Sequence, residues 1–164
     1  MLTPHVLHSL RSLCFSVVVV GITFGQFTAA RLEAQTFAHF EARHVHPIAV
    51  TPDGKRLVAV NSSEGRLSVF DVSNTNSPEP VLLAEIPVGI EPVSVRFRTN
   101  DEAWVVNEVS DSVSIVSLAR GVVIDTLRVS DEPADVLFAN GKAYVSCARN
   151  NAVKVFDALT RAET

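Results

Sequence analysis

The sequence lacks several motifs that commonly mark catalytic or cofactor-binding chains. It contains no Gly-x-Ser-x-Gly nucleophile turn, no His-Glu-x-x-His metal pair, no Cys-x-x-Cys-His haem attachment site and no glycine-rich phosphate loop. The sequence therefore gives no positive support for an intrinsic catalyst. We predict no catalytic residue, no metal ion and no cofactor, and a non-enzymatic role is favoured.

Cysteine is scarce, and the chain contains two, Cys14 and Cys147. Cys14 lies in an N-terminal segment that we predict to be removed, so the mature chain would keep one thiol and no intrachain disulfide. Cys147 falls inside a predicted strand with no activating base nearby in the sequence. We therefore expect a buried, inert thiol there.

Charge of one sign is not concentrated anywhere in the chain. The formal net charge is −4, positive and negative side chains are interspersed, and no run of Lys and Arg is present. Because binding to a phosphate backbone or to anionic lipid depends on such runs, we predict neither nucleic acid nor a charged membrane surface as a partner.

The N-terminal segment differs in composition from the rest of the chain. A free amine and Arg11 precede an apolar run, residues 13–24, and small residues follow it up to Ala34. This order is typical of a secretory signal peptide, so we predict a signal over residues 1–34, with cleavage after Ala34 or, alternatively, after Ala30. The mature protein would be periplasmic or secreted. A membrane anchor is the alternative, but residues 13–27 are shorter than the ~20 residues that cross a bilayer core, so we expect no stable anchor.

The strongest pattern in the sequence is an internal repeat. Three segments align without a gap, at offsets of 46 and 40 residues: 57–71, 103–117 and 143–157. A proline precedes each segment at a nearly constant distance, at Pro47, Pro92 and Pro133. Matching spacing between two separate motifs indicates one supersecondary unit repeated along the chain.

Each unit has the alternation typical of β-strands. In residues 93–98, for example, apolar and polar side chains alternate with a period of two. Turn signals separate the first and second strands at residues 51–54 and 139–141, and the second unit has Thr-Asn-Asp at 99–101 instead. Residues 81–88 and 122–129 are predicted fourth strands, and residues 36–45 are a further predicted strand.

The units resemble the YVTN-type β-propeller repeat family, which is named for a second-strand motif. That strand reads Leu-Val-Ala-Val-Asn at 57–61, Trp-Val-Val-Asn at 104–107 and Tyr-Val-Ser-Cys at 144–147. Pro-Asp-Gly-Lys at 52–55 and Asn-Ala-Val-Lys-Val-Phe-Asp at 151–157 are similar to the family's hairpin and third strand. The resemblance extends from about residue 46 to residue 157. It departs from the family pattern at Cys147, at Ser117 and in the hairpin of the second unit.

This resemblance implies an all-β fold, a partial β-propeller of about three four-stranded antiparallel blades within residues 35–164. Closed propellers have about four to eight blades, so we expect the chain to be part of a larger ring. Self-association through exposed blade faces and an open arc are the alternatives.

The residues before the repeated prolines are candidate ligand-binding residues. His46, Glu91 and Glu132 occupy this place, and in a closed ring they would approach one mouth of the central channel. One His with two carboxylates could bind a cation or polarise a substrate. The alternative is that these are solvated loop residues.

Arg96 is the fourth candidate, because a charged residue is unusual on the innermost strand of a blade. Arg98 follows it on the same strand, and Asp135 lies on the first strand of the next unit. A structural ion pair between blades is the expected role, and an Arg that faces an anionic ligand is the alternative. Trp104 and Tyr144 align with Val58, and their position predicts core packing.

Two functions are consistent with this sequence. The first is an exported, non-enzymatic scaffold that binds a protein or small-molecule ligand through loops at one end of the blades, such as residues 74–80. The second is the N-terminal part of a propeller enzyme or redox protein. The resemblance implies this alternative, because the family is related to propeller lactonases and to propellers joined to c-type cytochrome domains.

Overall fold

The structure, a computed structural model, describes residues 43–76 and 79–164. The predicted signal peptide lies outside these residues. The predicted strand over residues 36–45 also lies mostly outside them, and its last three residues, 43–45, are not in a strand. The described residues form eleven strands and no helix, so none of them belongs to a helix that could cross a membrane.

Three antiparallel sheets follow one another along the chain. Sheet 1 contains β1 (Ile48–Val50), β2 (Arg56–Asn61), β3 (Arg66–Asp71) and β4 (Val81–Pro87). Sheet 2 contains β5 (Pro92–Phe97), β6 (Glu102–Asn107), β7 (Ser112–Ser117) and β8 (Val122–Arg128). Sheet 3 contains β9 (Pro133–Ala139), β10 (Lys142–Cys147) and β11 (Ala152–Asp157). The predicted all-β fold and partial propeller are confirmed.

The strand register confirms the sequence repeat. The second and third strands of each sheet place aligned residues opposite each other, in the pairs Val58 and Val69, Trp104 and Ile115, Tyr144 and Val155. Each sheet is therefore the same meander built from a different stretch of sequence.

The third sheet has the beginning of a fourth strand, which the sequence pattern does not indicate. Phe156 forms an antiparallel bridge with Glu163, and the Thr164 amide donates to the carbonyl of Val155 at 2.9 Å. Residues 162–164 thus pair with β11 on the side that β4 and β8 take in the other two sheets.

Sheet 2 is the middle of the stack and is covered on both faces. One face packs on sheet 1 through Val95, Ala103, Val105, Val116 and Leu118. The other face packs on sheet 3 through Val93, Trp104, Val106, Val113, Ile115 and Leu127. Every residue of β6 and β7 is buried as a result.

The outer face of sheet 3 carries apolar side chains whose counterparts are buried in the other sheets. Val153 is 59% exposed, whereas the aligned Leu67 and Val113 are fully buried. Tyr144 is half-buried, whereas the aligned Val58 and Trp104 are fully buried. The predicted core packing is therefore confirmed for Trp104, and Tyr144 lies on the face that has no covering sheet among the described residues.

Candidate functional site

The first strands of the three sheets, β1, β5 and β9, lie side by side and line a cleft of about 460 Å³. Its apolar wall contains Ile48 and Leu137, which are 60% and 61% exposed, and its polar edge is formed by Arg96. In a propeller the first strand of each blade is the innermost, so this cleft faces the axis. We refer to it as the axial cleft.

His46 contacts the Arg96 side chain at the polar edge of this cleft. It forms a parallel bridge with Ser94 of β5, and its carbonyl accepts a hydrogen bond from the Val95 amide at 2.9 Å. Its Nδ1 lies 2.7 Å from Nη2 of Arg96 and 3.0 Å from Oδ2 of Asp135. A neutral ring that accepts from Arg96 cannot also donate to Asp135 from the same nitrogen, so the proton position on His46 selects one of these two partners.

Arg96 and Asp135 form the predicted ion pair between two blades. The Arg96 Nη2 lies 3.2 Å from Asp135 Oδ2, and Nε lies 3.5 Å from Oδ1. The hydroxyl of Ser94, which is fully buried, donates to the same carboxylate at 2.6 Å. Burial alone would raise the pKa of Asp135, but the hydrogen bonds from Arg96 and Ser94 outweigh burial and lower that pKa.

Glu91 and Glu132 form a separate group with Glu108. Both have positive φ angles, 58° and 54°, and their carbonyls accept equivalent hydrogen bonds, from Glu108 and Ala148 respectively. Burial, together with the charges of Glu91 and Glu132, raises the pKa of Glu108, so these carboxylates are close enough to interact.

The structure therefore divides the four predicted ligand-binding residues into two places. His46 and Arg96 meet at the axial cleft, whereas Glu91 and Glu132 lie around Glu108. The Glu132 carboxylate also accepts from Arg149 at 3.3 Å. Among residues 43–76 and 79–164 no His, Cys, Asp and Glu side chains are grouped closely enough to hold a metal ion.

A second ionic cluster, around Glu102, was not predicted. Arg98 binds the Glu102 carboxylate with two nitrogens, at 2.6 and 2.7 Å, and the Trp104 indole donates to it at 2.8 Å. Arg161, from the turn after β11, reaches both Glu102 and Asp125 at 3.3 Å. The sequence signal that could have found this cluster is a Glu two residues before the buried Trp104, on the same face of β6.

Cys147 is buried, as predicted. Burial raises the pKa of its thiol, because the charged thiolate would lose solvation there. The thiolate form of Cys147 is therefore disfavoured.

Polar groups and open space thus coincide at the axial cleft. Arg96 is 35% exposed, and its Nη1 makes no hydrogen bond to the described residues. This nitrogen can donate to a carboxylate or carbonyl oxygen of a ligand, while Ile48 and Leu137 offer an apolar surface for its carbon skeleton.

Comparisons with known proteins connect the chain to one family. A family model described as lactonase, seven-bladed β-propeller, matches residues 28–155. No curated protein matches the chain significantly.

Three solved structures illustrate the similarity. The hydrazine synthase of Kuenenia stuttgartiensis is 26% identical with a TM-score of 0.65, over 79% of this chain and 37% of that one. A Bacteroides uniformis protein assigned as a 6-phosphogluconolactonase is 20% identical with a TM-score of 0.62, over 74% of this chain and 39% of that one. A dihydro-heme d1 dehydrogenase is 23% identical with a TM-score of 0.57, over 66% of this chain and 24% of that one. The chain spans less than two fifths of each of these proteins.

Proposed function

The chain belongs to the family of seven-bladed β-propeller lactonases, and on this premise we propose that it is a propeller sector that works as an exported, non-enzymatic binding scaffold. The observation that carries the proposal is the position of the His46, Arg96 and Asp135 side chains. They come from three separate parts of the chain and meet at the edge of the axial cleft.

The contacts around this cluster support binding. Ser94 and Arg96 hold the Asp135 carboxylate, and the Ser146 hydroxyl accepts from the Asp135 amide at 3.1 Å. A side chain held in this way loses little further entropy when a ligand binds. The ligand that fits is a small molecule with a carboxylate or carbonyl oxygen for Arg96 and an apolar part for Ile48 and Leu137.

The outer face of sheet 3 is part of the same proposal. Tyr144 and Val153 take positions that are covered in the preceding sheets, and Leu137 lies opposite Tyr144 on the same face. This face is therefore suited to another blade, either of the same ring or of a second copy. Such a blade would bury their apolar area and complete the far wall of the axial cleft.

The second candidate function is a part of a propeller lactonase, which the family match favours. A lactonase needs a group that activates water beside the bound carbonyl. His46, which contacts Arg96 at the edge of the axial cleft, is a described side chain with the chemistry for that role.

Lactone hydrolysis distinguishes the two candidates. The full chain is mixed with glucono-δ-lactone, hydrolysis is followed in a pH-stat, and gluconate binding is followed by NMR at the His46 ring protons. The scaffold proposal expects gluconate to shift these protons without any increase in hydrolysis over the spontaneous rate.

Two variants complete this experiment. Arg96→Gln should abolish the gluconate-induced shift, and Arg120→Gln, which removes an exposed guanidinium from a turn of sheet 2, should preserve it. Hydrolysis well above the spontaneous rate that is lost in His46→Gln would favour the lactonase candidate. Absence of both binding and hydrolysis would contradict both candidates.

A further inference from the structure

A second cleft, of about 430 Å³, lies between the outer strands of sheets 1 and 2, and it shares no lining residue with the axial cleft. We refer to it as the outer cleft. It is lined by the end of β4 and the residues that follow β4, by β7 and β8, and by the turn that precedes β7. Its lining residues are Pro87, Val88, Gly89, Ser110, Ser112, Ser114, Val123, Thr126 and Arg128.

The hydrogen bonds around Asn107 set the direction of the serine hydroxyls in this cleft. Asn107 is fully buried, and its Nδ2 donates to the Oγ of Ser112 at 3.1 Å and to the Oγ of Ser114 at 3.0 Å. An oxygen that accepts a hydrogen bond from the amide must direct its own hydrogen elsewhere. In this orientation of the amide both serines direct their hydroxyl hydrogens toward other groups, and the buried Asn107 Oδ1 has no hydrogen-bond partner among the described residues.

The remaining contacts leave free donors in the cleft. Ser110 accepts a hydrogen bond from the Ile90 amide at 3.0 Å and shares one hydrogen with Ser112 over 2.9 Å. The hydroxyl hydrogen of Ser114 has no acceptor among the described residues, and the Ser110 and Ser112 pair has one further hydrogen to donate. The outer cleft thus offers two hydroxyl donors.

Charge in the outer cleft has one sign. Arg128 lines it, is exposed, and forms no ion pair with the part of the chain that the structure describes. None of the lining residues is acidic. A guanidinium and hydroxyl donors, in a lining that contains no carboxylate, are groups that bind oxyanions.

Gly89 packs closely against the groups that orient the serine hydroxyls. A Cβ atom at this position would lie 2.5 Å from Cγ of Asn107 and 2.5 Å from Oγ of Ser110. Both contacts are far below van der Waals distance, so a side chain at position 89 would displace the groups that orient the hydroxyls.

The arrangement is specific to sheet 2. In sheet 1 the aligned Asn61 accepts hydrogen bonds from Ser63 and Glu64 and donates to no aligned serine. The serine and arginine donors of the outer cleft are therefore a local feature and are not required by the repeat.

We propose that the outer cleft is a binding site for a small organic oxyanion, held by the Arg128 guanidinium and by the hydroxyls of Ser114 and of the Ser110 and Ser112 pair. The volume suits a ligand of about the size of a sugar acid, since small-molecule pockets occupy roughly 300–1,000 Å³. This site is separate from the axial cleft of the proposed function and does not depend on it.

NMR titration of the full chain tests this site with two probes, inorganic phosphate and gluconate. The reporters are the backbone amides of Gly89 and Ile90 and the side-chain amide of Asn107, none of which lies in the axial cleft. Binding should shift these signals at millimolar probe concentrations and should weaken as salt is added. Arg128→Gln and Ser114→Ala should each weaken binding by roughly tenfold.

Two matched variants serve as controls. Arg120→Gln removes another exposed guanidinium from sheet 2, and Ser68→Ala removes the buried serine of sheet 1 that aligns with Ser114. Both should bind as the unmodified chain does.

Each outcome decides the proposal. Shifts with both probes, or with one of them, that are lost in Arg128→Gln support the oxyanion site and identify which oxyanion geometry it accepts. Absence of shifts with either probe, or an equal loss in Arg120→Gln, would overturn it. Absence of shifts with either probe is the result expected if the Asn107 amide is rotated so that the serine hydroxyls donate to its oxygen.

Discussion

The guanidinium of Arg161 lies 3.3 Å from the Glu102 carboxylate, which is buried in sheet 2. Arg161 has a φ of +64°, and it aligns with Gly121, whose φ is +65°. A non-glycine residue in this conformation costs about 1 kcal/mol. The two ion pairs of Arg161, with Glu102 and Asp125, offset that strain and connect sheet 3 to sheet 2.

Glu102 should make stability depend on pH in the acid range. Burial alone would raise its pKa, but hydrogen bonds from Arg98 and Trp104 and the charges of Arg98 and Arg161 lower its pKa to about 2. Because the folded pKa lies below the unfolded value, this contribution is present above about pH 5 and is lost as pH falls toward 2. We expect Glu102→Gln to destabilise the chain by roughly 2 kcal/mol at pH 7.

Urea unfolding from pH 7 to pH 2 measures this effect. The difference between Glu102→Gln and the unmodified chain should shrink as pH falls, and Glu85→Gln, on an exposed strand position, should follow the unmodified chain throughout. A difference that stays constant over the whole range would contradict the assigned role of the charge.

Replacing Arg161 by glycine should destabilise the protein even though it removes backbone strain. Strain relief is worth about 1 kcal/mol, whereas leaving a buried carboxylate without one of its partners costs about 1–3 kcal/mol. Asn151→Gly is the matched control, because Asn151 also has a positive φ, 48°, but no ionic partner. Thermal unfolding should show a lower Tm for Arg161→Gly and little change for Asn151→Gly.

Arg96 and Asp135 should be coupled energetically across the boundary between sheets 2 and 3. Each of Asp135→Asn and Arg96→Gln should destabilise the chain by about 1–3 kcal/mol, because the remaining partner stays partly buried. The double variant should lose less than the sum of the two single variants, and urea denaturation of the four proteins provides the cycle. Strictly additive losses would mean that the pair contributes nothing as a pair.

Gly89→Ala should destabilise the folded chain, because there is no room for a methyl group between Gly89 and Asn107. The added methyl group would meet the buried side chain of Asn107, and overpacking of this kind costs about 1–3 kcal/mol. Asn107→Ala in the same chain should recover part of that loss by removing the clash. If the double variant is instead less stable than either single variant, the clash is not the cause.

The repeat made the blades predictable, since period-two alternation and Asn-Gly turns are local properties of the sequence. Asn140 and Gly141 have the positive φ angles, 49° and 72°, that the predicted hairpin requires. The Arg96 and Asp135 pair was also predictable, because consecutive blades place their first strands side by side.

Other contacts depended on the path of the chain between motifs. His46 precedes a proline just as Glu91 and Glu132 do. It nevertheless lies beside β5, where it forms a bridge with Ser94. Nothing in the His-Pro motif specifies that neighbour. The burial of Ser94 and Ser114 could not be predicted from the sequence either. Alternation of apolar and polar residues suggests a strand with one solvated face, and only the stacking of three sheets covers both faces of sheet 2.

That covering has a consequence for local opening of the native protein. Amide hydrogens of β6 and β7 are protected by a neighbour above and below, so they can exchange with solvent only when two boundaries separate together. Those of β1 and β4 require a single sheet edge to fray. In heavy water the labelling order should therefore run from the two outer sheets inward, and the strands of sheet 2 should retain their protons longest.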